Sequence, residues 1–105
     1  MKIARVEVIP IRMPVSDRVR IRDAYGWKTD SEYNIVRITD ENGVTGVGEA
    51  SFTDVWSGER QLASREVIEK VLIPAITPLD LFDVRRVAAA MDKAVYGHLS
   101  SKAAV

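Results

Sequence analysis

The sequence predicts an α+β fold in which a three-stranded antiparallel meander is followed by a small helical segment. Apolar residues alternate through the first half of the chain and recur at helical spacing in the second half. Between two of the alternating runs stands Asn42-Gly43, a pair that tolerates the positive φ of a tight hairpin turn. A chain of 105 residues is long enough for one such domain and its core.

Three strands are predicted, at about residues 2–13, 32–40 and 44–51. In the first strand Val6 and Val8 face one way while Ile9 and Ile11 face the other, and β-branched residues dominate. Pro10 cannot donate to a hydrogen-bond ladder. We therefore expect this strand to lie at an edge of the sheet or to carry a bulge.

Two helices are predicted, at about residues 58–73 and 80–96. The first ends before Pro74 because proline breaks the helical ladder. Its apolar stripe comprises Leu62, Val67, Ile68, Val71, Leu72 and Ala75. The second begins at Asp80 as N-cap, gains favourable charge from Asp83 and stops at Gly97. Val84, Val87, Ala88, Met91 and Val95 form its apolar face.

The C-terminal residues 98–105 begin another helix, for which Ser100 or Ser101 is the predicted cap. One helical turn cannot sustain itself, so we expect polypeptide to follow Val105. His98 is the single histidine, and no Cys, Asp or Glu stands at ligand spacing around it. A role at the surface or at a helix end is therefore favoured over metal binding or base catalysis.

The run NGVTGVGEASF, residues 42–52, raises the possibility of a phosphate-binding loop. Such a loop needs glycines between a strand and a helix N-terminus, with a Lys-Ser/Thr pair or G-x-G-x-x-G spacing, and neither is present. Gly46 and Gly48 instead share one face of a strand and leave it bare for the close approach of another backbone. We interpret the run as a hairpin, with Glu49 as an exposed carboxylate at its end.

Composition excludes several classes of function. Fifteen basic and fifteen acidic side chains cancel, so no overall field attracts nucleic acid or an anionic membrane. The absence of cysteine removes disulfides and thiolate metal sites and fits a cytoplasmic protein. The N-terminal run MKIARVEVIPIRMPV lacks the apolar core of a signal peptide, and no stretch is long and apolar enough to span a bilayer.

The order of elements and motifs resembles the N-terminal capping domain of the enolase superfamily, in its mandelate racemase/muconate-lactonising enzyme branch. A strand, a long loop and a hairpin ending in GVGEA precede a helix, the run PLDLFDVRRVAAAMDKAVYG and finally SSKAAV. The resemblance covers essentially the whole chain. ENGVTGVGEA and the D-x-F-D helix start are its most specific parts.

This resemblance implies a capping domain at residues 1–97 and, at 98–105, the truncated start of a helix toward a missing (β/α)8 barrel. The implied parent enzyme is a lyase or isomerase that abstracts the α-proton of a small carboxylate substrate with the help of Mg²⁺. Dehydration of an acid sugar is the favoured reaction, with racemisation, epimerisation and cycloisomerisation left open. Metal ligands and acid/base residues would belong to the barrel. We therefore predict no catalytic and no metal-ligating residue in this chain and expect it to be inactive alone.

Two loops are implied to fold over the barrel mouth, at about residues 16–31 and 51–58. Their substrate-binding candidates are Arg20, Arg22, Tyr25, Trp27 and Trp56. Aromatic side chains exclude water and stack on a substrate, whereas arginine grips a carboxylate through two parallel hydrogen bonds. The alternative for the arginines is a solvated basic face, and the alternative for the aromatic residues is packing on the domain itself.

The partners implied are the chain's own barrel domain and further copies of the chain. Without the barrel, apolar groups that include Met91, Val95 and the Gly46/Gly48 surface should be exposed and should drive self-association or homo-oligomer formation. Two alternatives stay open. The chain is either an independent small α+β binding or self-assembly module without catalysis, or a degraded or cut piece of a longer protein.

Overall fold

The computed structural model describes residues 1–20, 22–24, 26–27, 30–52 and 58–105, and of residues 23 and 27 it describes the backbone alone. The strands are β1 (Ile3–Pro14), β2 (Arg22–Asp23), β3 (Gly26–Trp27), β4 (Asp30–Asp40) and β5 (Thr45–Phe52). The helices are α1 (Gln61–Val67), α2 (Ile73–Ile76), α3 (Val84–Ala94) and α4 (Leu99–Ala104), with a π-helical segment, Ile68–Leu72, joining α1 to α2.

The main sheet is an antiparallel meander in the order β1-β4-β5, which confirms the predicted fold class. β1 is an edge strand, as Pro10 required, and the register shift in its pairing lies between Ile3 and Arg5 instead of at the proline. The short β2-β3 ladder inside the first loop was not predicted. Two-residue strands carry too little periodicity to be recognised in a sequence.

The predicted hairpin turn joins β4 to β5 and depends on one more residue than expected. Gly43 has a φ of +85°, in the region that its lack of a side chain allows. Asp40 is buried, and its Oδ1 accepts hydrogen bonds from the main-chain N–H of Asn42 at 2.8 Å and of Val44 at 2.9 Å. This side chain therefore closes the turn that Asn42-Gly43 begins.

The first predicted helix is displaced at both ends. It begins at Gln61 and not at residue 58, and the helical path continues through Pro74 to Ile76. Proline is tolerated because a wider π-turn directly precedes it: the N–H of Ile73 bonds to the carbonyl of Ile68, five residues back. That spacing moves the preceding carbonyls out of the position in which proline normally clashes.

The buried face of this helical stretch differs from the predicted stripe at one end. Its fully buried positions recur every fourth residue at Ser64, Ile68, Leu72 and Ile76. Leu62 lies two positions from this row and is 76% exposed, so its assignment to the apolar stripe was wrong. A serine opens the row, and hydrophobicity alone could not mark it.

The core lies between one face of the sheet and the helices. Its buried apolar residues are Val8, Val36, Ala50, Phe52, Ile68, Leu72, Ile76, Met91 and Ala104. The expectation that Met91 would be exposed on a docking face was therefore wrong, because α3 buries this side chain in the core cluster. Val95 is partly buried against the same core.

The second predicted helix starts later than the sequence indicated. α3 begins after Asp83, whose side chain accepts a hydrogen bond from the N–H of Arg86 at 3.3 Å, so Asp83 is the N-cap. Asp80 was predicted for that role. Its Oδ1 instead accepts from the N–H of Phe82 at 3.0 Å and from the N-terminal ammonium of Met1 at 2.9 Å. Both aspartates are suitable caps by type, and only the path of the chain distinguishes them.

The contact between Asp80 and the N-terminus predicts a measurable pH effect. The hydrogen bond from the ammonium group, followed by that from Phe82, lowers the pKa of the Asp80 carboxyl. The pKa of Asp80 is thus lower in the folded state than in the unfolded state. The stability that the ionised carboxylate contributes is therefore fully present at pH values above the unfolded-state pKa, and it is lost as the pH falls through the folded-state pKa. N-terminal acetylation should raise the titration midpoint of Asp80 in a carbon-detected NMR titration.

Glu7 provides the control for this titration. Its pKa is lowered mainly by a side-chain hydrogen bond from Arg37, so acetylation should leave its midpoint unchanged. An Asp80 midpoint that does not respond to acetylation would show that the ammonium contact is not formed in solution.

No helix in the described ranges has the length and hydrophobicity to cross a membrane.

Candidate functional site

Both predicted substrate loops leave the sheet at the same end. Pro14, the last residue of β1, pairs with Asp30 at the start of β4, and Phe52 at the end of β5 pairs with Glu32. Antiparallel pairing places these strand ends next to one another. The connection after β1 and the connection after β5 therefore share one edge of the domain, which we call the loop end.

The five candidate residues differ in how far the structure describes them. Tyr25 and Trp56 lie outside the described residues. Trp27 is described by its backbone, which pairs with that of Arg22 across the β2-β3 ladder. The structure thus brings Arg22 and Trp27 together in one ladder within the first loop, and the Arg22 side chain is exposed.

Arg20 is turned back onto its own loop. Its Nη1 lies 2.6 Å from Oδ1 of Asp17, and its Nε donates to the carbonyl of Val15 at 3.2 Å. This geometry holds the guanidinium near the loop end, and a surface ion pair of this kind is weak enough to open when a better anion arrives.

Sequence reasoning missed one further arginine at the loop end. Nη2 of Arg12 in β1 lies 2.6 Å from Oδ2 of Asp30 in β4, and the Arg12 side chain is 67% exposed. Guanidinium has five N–H donors in a planar fork, so one carboxylate does not exhaust them. The signal that could have found this pair is the strand register, which brings position 12 near position 30.

The residues that follow the second loop are attached to the sheet by two amide side chains. Nε2 of Gln61 donates to the carbonyls of Ile11 and Tyr33, each at 3.0 Å. In return Nδ2 of the fully buried Asn34 donates to the carbonyl of Gln61 at 2.9 Å, while Asn34 Oδ1 has no partner among the described residues. The start of α1 is therefore held against β1 and β4, next to the loop end.

The residues that follow the second loop also hold α4, and the predicted cap of that helix was wrong. Neither Ser100 nor Ser101 is the N-cap: His98 occupies that position, at the helix end as expected, with a φ of +51° and no side-chain cap bond. The carboxylate of Glu59 supplies the cap. Its Oε1 accepts from the N–H of Ser100 at 3.0 Å and its Oε2 from that of Ser101 at 3.3 Å. A cap supplied from 41 residues away cannot be found by local pattern.

α4 reaches the sheet at Gly48. A Cβ at this position would meet the carbonyl oxygen of Ala104 and would lie 2.7 Å from its carbonyl carbon, whereas a Cβ at Gly46 would meet nothing within 4 Å. The predicted close approach of a backbone is thus confirmed for Gly48. Gly46 does not take part in it, and Gly48 is covered instead of forming part of an exposed docking face.

An apolar groove of about 600 Å³ lies between the sheet, α3 and α4. Val36, Ile38, Ile76, Val87, Met91 and Val105 are among the residues that line it. Four residues of the lining, Val44, Val47, Phe82 and Val84, are between 66% and 76% exposed. Large apolar side chains clustered in this way mark a surface that another part of a protein covers.

Known proteins share the sequence pattern and the fold of this chain. A sequence model of the family "Mandelate racemase / muconate lactonizing enzyme, N-terminal domain" matches residues 5–105. The chain belongs to this family. Its resemblance to the mandelate racemase/muconate-lactonising branch is thereby confirmed.

Among solved structures, the substrate-liganded L-Ala-D/L-Glu epimerase of Bacillus subtilis is similar over 99% of this chain, with a TM-score of 0.89 and 32% identity. N-succinyl-L-Arg/Lys racemase from Bacillus cereus is 28% identical over 105 residues, and a chloromuconate cycloisomerase from Cupriavidus pinatubonensis is 32% identical over 107. The chain spans 28% of the length of each of these relatives and corresponds to their N-terminal domain.

The described residues do not offer this N-terminal domain a metal site. In the ranges that the structure describes, no three His, Cys, Asp or Glu side chains form a group that could hold a metal ion. Glu7 and Arg37 form an ion pair at 2.7 Å on the face of the sheet opposite the core. The single carboxylate of Glu7 does not make a set of metal ligands.

Proposed function

We propose that this chain is the substrate-capping domain of a mandelate racemase/muconate-lactonising enzyme that isomerises a small carboxylate substrate by removing its α-proton. The single observation that carries the proposal is the loop end: both connections that could cover a substrate leave the sheet at one edge, with arginines beside them. The relatives are racemases, epimerases and cycloisomerases, which favours isomerisation over the acid-sugar dehydration expected from the sequence.

The part that this chain plays follows from the arginines at the loop end and from the aromatic residues in the sequence of the two loops. Arg12, Arg20 and Arg22 can orient a carboxylate by charge-assisted hydrogen bonds, and tryptophans such as Trp27 and Trp56 are suited by residue type to exclude water from it. Orientation and exclusion of water raise the rate without a reacting group in the cap. Mg²⁺, which would stabilise the charge formed when the α-proton leaves, belongs in this proposal to the barrel and not to this chain.

The same proposal assigns the apolar groove to that barrel domain. The relatives are more than three times as long as this chain, so a large partner domain exists in them to cover apolar surface. Burial of Val44, Val47, Phe82 and Val84 would remove the most exposed large apolar side chains around the groove from water. Self-association of the isolated chain stays a prediction, as does a cytoplasmic location.

A domain exchange tests the proposal. This chain would replace the matching N-terminal residues of the L-Ala-D/L-Glu epimerase from Bacillus subtilis, to which it is 33% identical over 107 residues. The chimera should exchange the substrate's α-proton for deuterium in D₂O, observed by proton NMR. Within it, Arg12→Ala and Trp27→Ala should each raise KM about tenfold, because they remove contacts made by the cap.

Arg65→Ala is the matched control in this experiment. Arg65 is exposed on α1 and pairs with Glu69 at 3.0 Å, and its loss should leave both KM and kcat unchanged. A folded chimera without proton exchange, or loop-end variants that behave like Arg65→Ala, would contradict the capping role.

A further inference from the structure

Three side chains link the residue that follows the second loop to the start of α4. Oγ of Ser101 donates to Oε2 of Glu59 at 3.3 Å, and Oγ of Ser64 lies 2.6 Å from Oγ of Ser101. A hydroxyl has one proton to donate, so Ser101 accepts the proton of Ser64. The hydrogen bonds therefore run in one direction, from Ser64 through Ser101 to the carboxylate, and the two serines are buried.

Among the described residues, this chain of bonds is one of three attachments that hold α4. At its first turn the helix receives the Glu59 carboxylate, and at its last residue the carbonyl of Ala104 contacts Gly48 in β5. Between them, Nζ of Lys102 pairs with Oδ1 of Asp92 in α3 at 3.0 Å. Six residues are too few for a helix to be stable by its own hydrogen bonds. Its direction relative to the sheet is therefore set by these attachments and not by the helix itself.

We propose that Glu59 is a positioning residue that sets the direction of α4 on the sheet and thereby the placement of the capping domain over its barrel. Glu59 suits this role because its carboxylate accepts from two main-chain amides and one hydroxyl of the same turn, which fixes an orientation as well as a position. The inference rests on the proposed capping function, and it names a residue outside the loops that contact substrate.

The first test measures the direction of α4 in the 105-residue chain. Residual dipolar couplings of the amides in α4, compared with those of β4, should change in Glu59→Ala and change less in Glu59→Gln, which keeps one acceptor oxygen. Ser64→Ala should shift the couplings in the same direction, since it removes a donor to Ser101. Glu66→Gln, an exposed glutamate on α1, is the matched control and should leave the couplings unchanged.

The second test uses the epimerase chimera described above. There Glu59→Gln should raise KM about fivefold while kcat stays within about twofold, because the reacting groups in the barrel are untouched and only the cap is misplaced. A purely structural role would instead lower the melting temperature and the active fraction and leave KM unchanged.

The two tests separate failure of this inference from failure of the capping function. Couplings in α4 that are unchanged in Glu59→Ala would overturn the positioning role even if the chimera is active. If the couplings of α4 change but the chimera is inactive, Glu59 does set the direction of α4. The capping function, on which the effect of Glu59 on the barrel depends, would then be contradicted. An unchanged KM in an active Glu59→Gln chimera would overturn the link between the two domains.

Discussion

Replacing Gly48 by alanine should lower the free energy of unfolding by about 3 kcal/mol, which is at the upper end for one added methyl group. The new Cβ would meet the carbonyl oxygen of Ala104 and would lie 2.7 Å from its carbonyl carbon, and main chain cannot move aside as a side chain can. α4 would therefore leave the sheet, and the buried Ala104 would become exposed. Urea unfolding and the exchange rates of the α4 amides measure the two effects.

Gly46→Ala is the control for this prediction. Gly46 is two residues away on the same face of the same strand, and a Cβ there would meet nothing within 4 Å. The variant should be as stable as the parent or more stable by about 0.5 kcal/mol, since alanine restricts the unfolded chain. Equal losses in Gly46→Ala and Gly48→Ala would show that strand flexibility, and not the contact with Ala104, explains the glycines.

Leu72→Ala should lower the free energy of unfolding by about 3 kcal/mol, because it opens a cavity at the centre of the core. The Leu72 side chain is fully buried in the π-helical segment and belongs to the cluster that joins the sheet to the helices. The surrounding side chains come from separate elements and cannot all move inward to fill the space. Chemical denaturation followed by far-UV circular dichroism would give the change.

Leu62→Ala makes the same chemical change on the neighbouring helix. Leu62 is 76% exposed, so its truncation removes little buried surface and should change stability by less than about 0.5 kcal/mol. A loss at Leu62 as large as that at Leu72 would mean that residue 62 packs against something in solution, and the assignment of the buried row would then be wrong.

The candidate site divides into a part that the sequence showed and a part that it did not. The family resemblance pointed to the two loops and residue type within them to Arg20, Arg22, Tyr25, Trp27 and Trp56, and for these the functional assignment stays a prediction. Arg12, Glu59 and Gln61 were missed because each acts on a residue that is distant in sequence. A side chain of ordinary type in an ordinary element gives no local signal of such a partner.

The errors in element boundaries have the same origin. Pro74 and Asp80 carry strong local signals for the end and the start of a helix, and both signals were overruled. At Pro74 a π-turn removes the clash that would have stopped the helix. At Asp80 the carboxylate accepts a hydrogen bond from the N-terminal ammonium instead of capping a helix. Local preferences are worth about 1 kcal/mol, which tertiary contacts readily exceed.

The sequence by itself determined the three-stranded meander, the hairpin at Asn42-Gly43, a close backbone approach at one face shared by Gly46 and Gly48, and the family. These features depend on alternation, turn chemistry and the steric freedom of glycine, which act between residues close in the chain or through backbone alone. Only the tertiary structure decided which carboxylate caps α4, which leucine is buried and which arginine lies at the loop end. Those outcomes depend on strand register and helix packing, which bring together residues that the sequence keeps tens of positions apart.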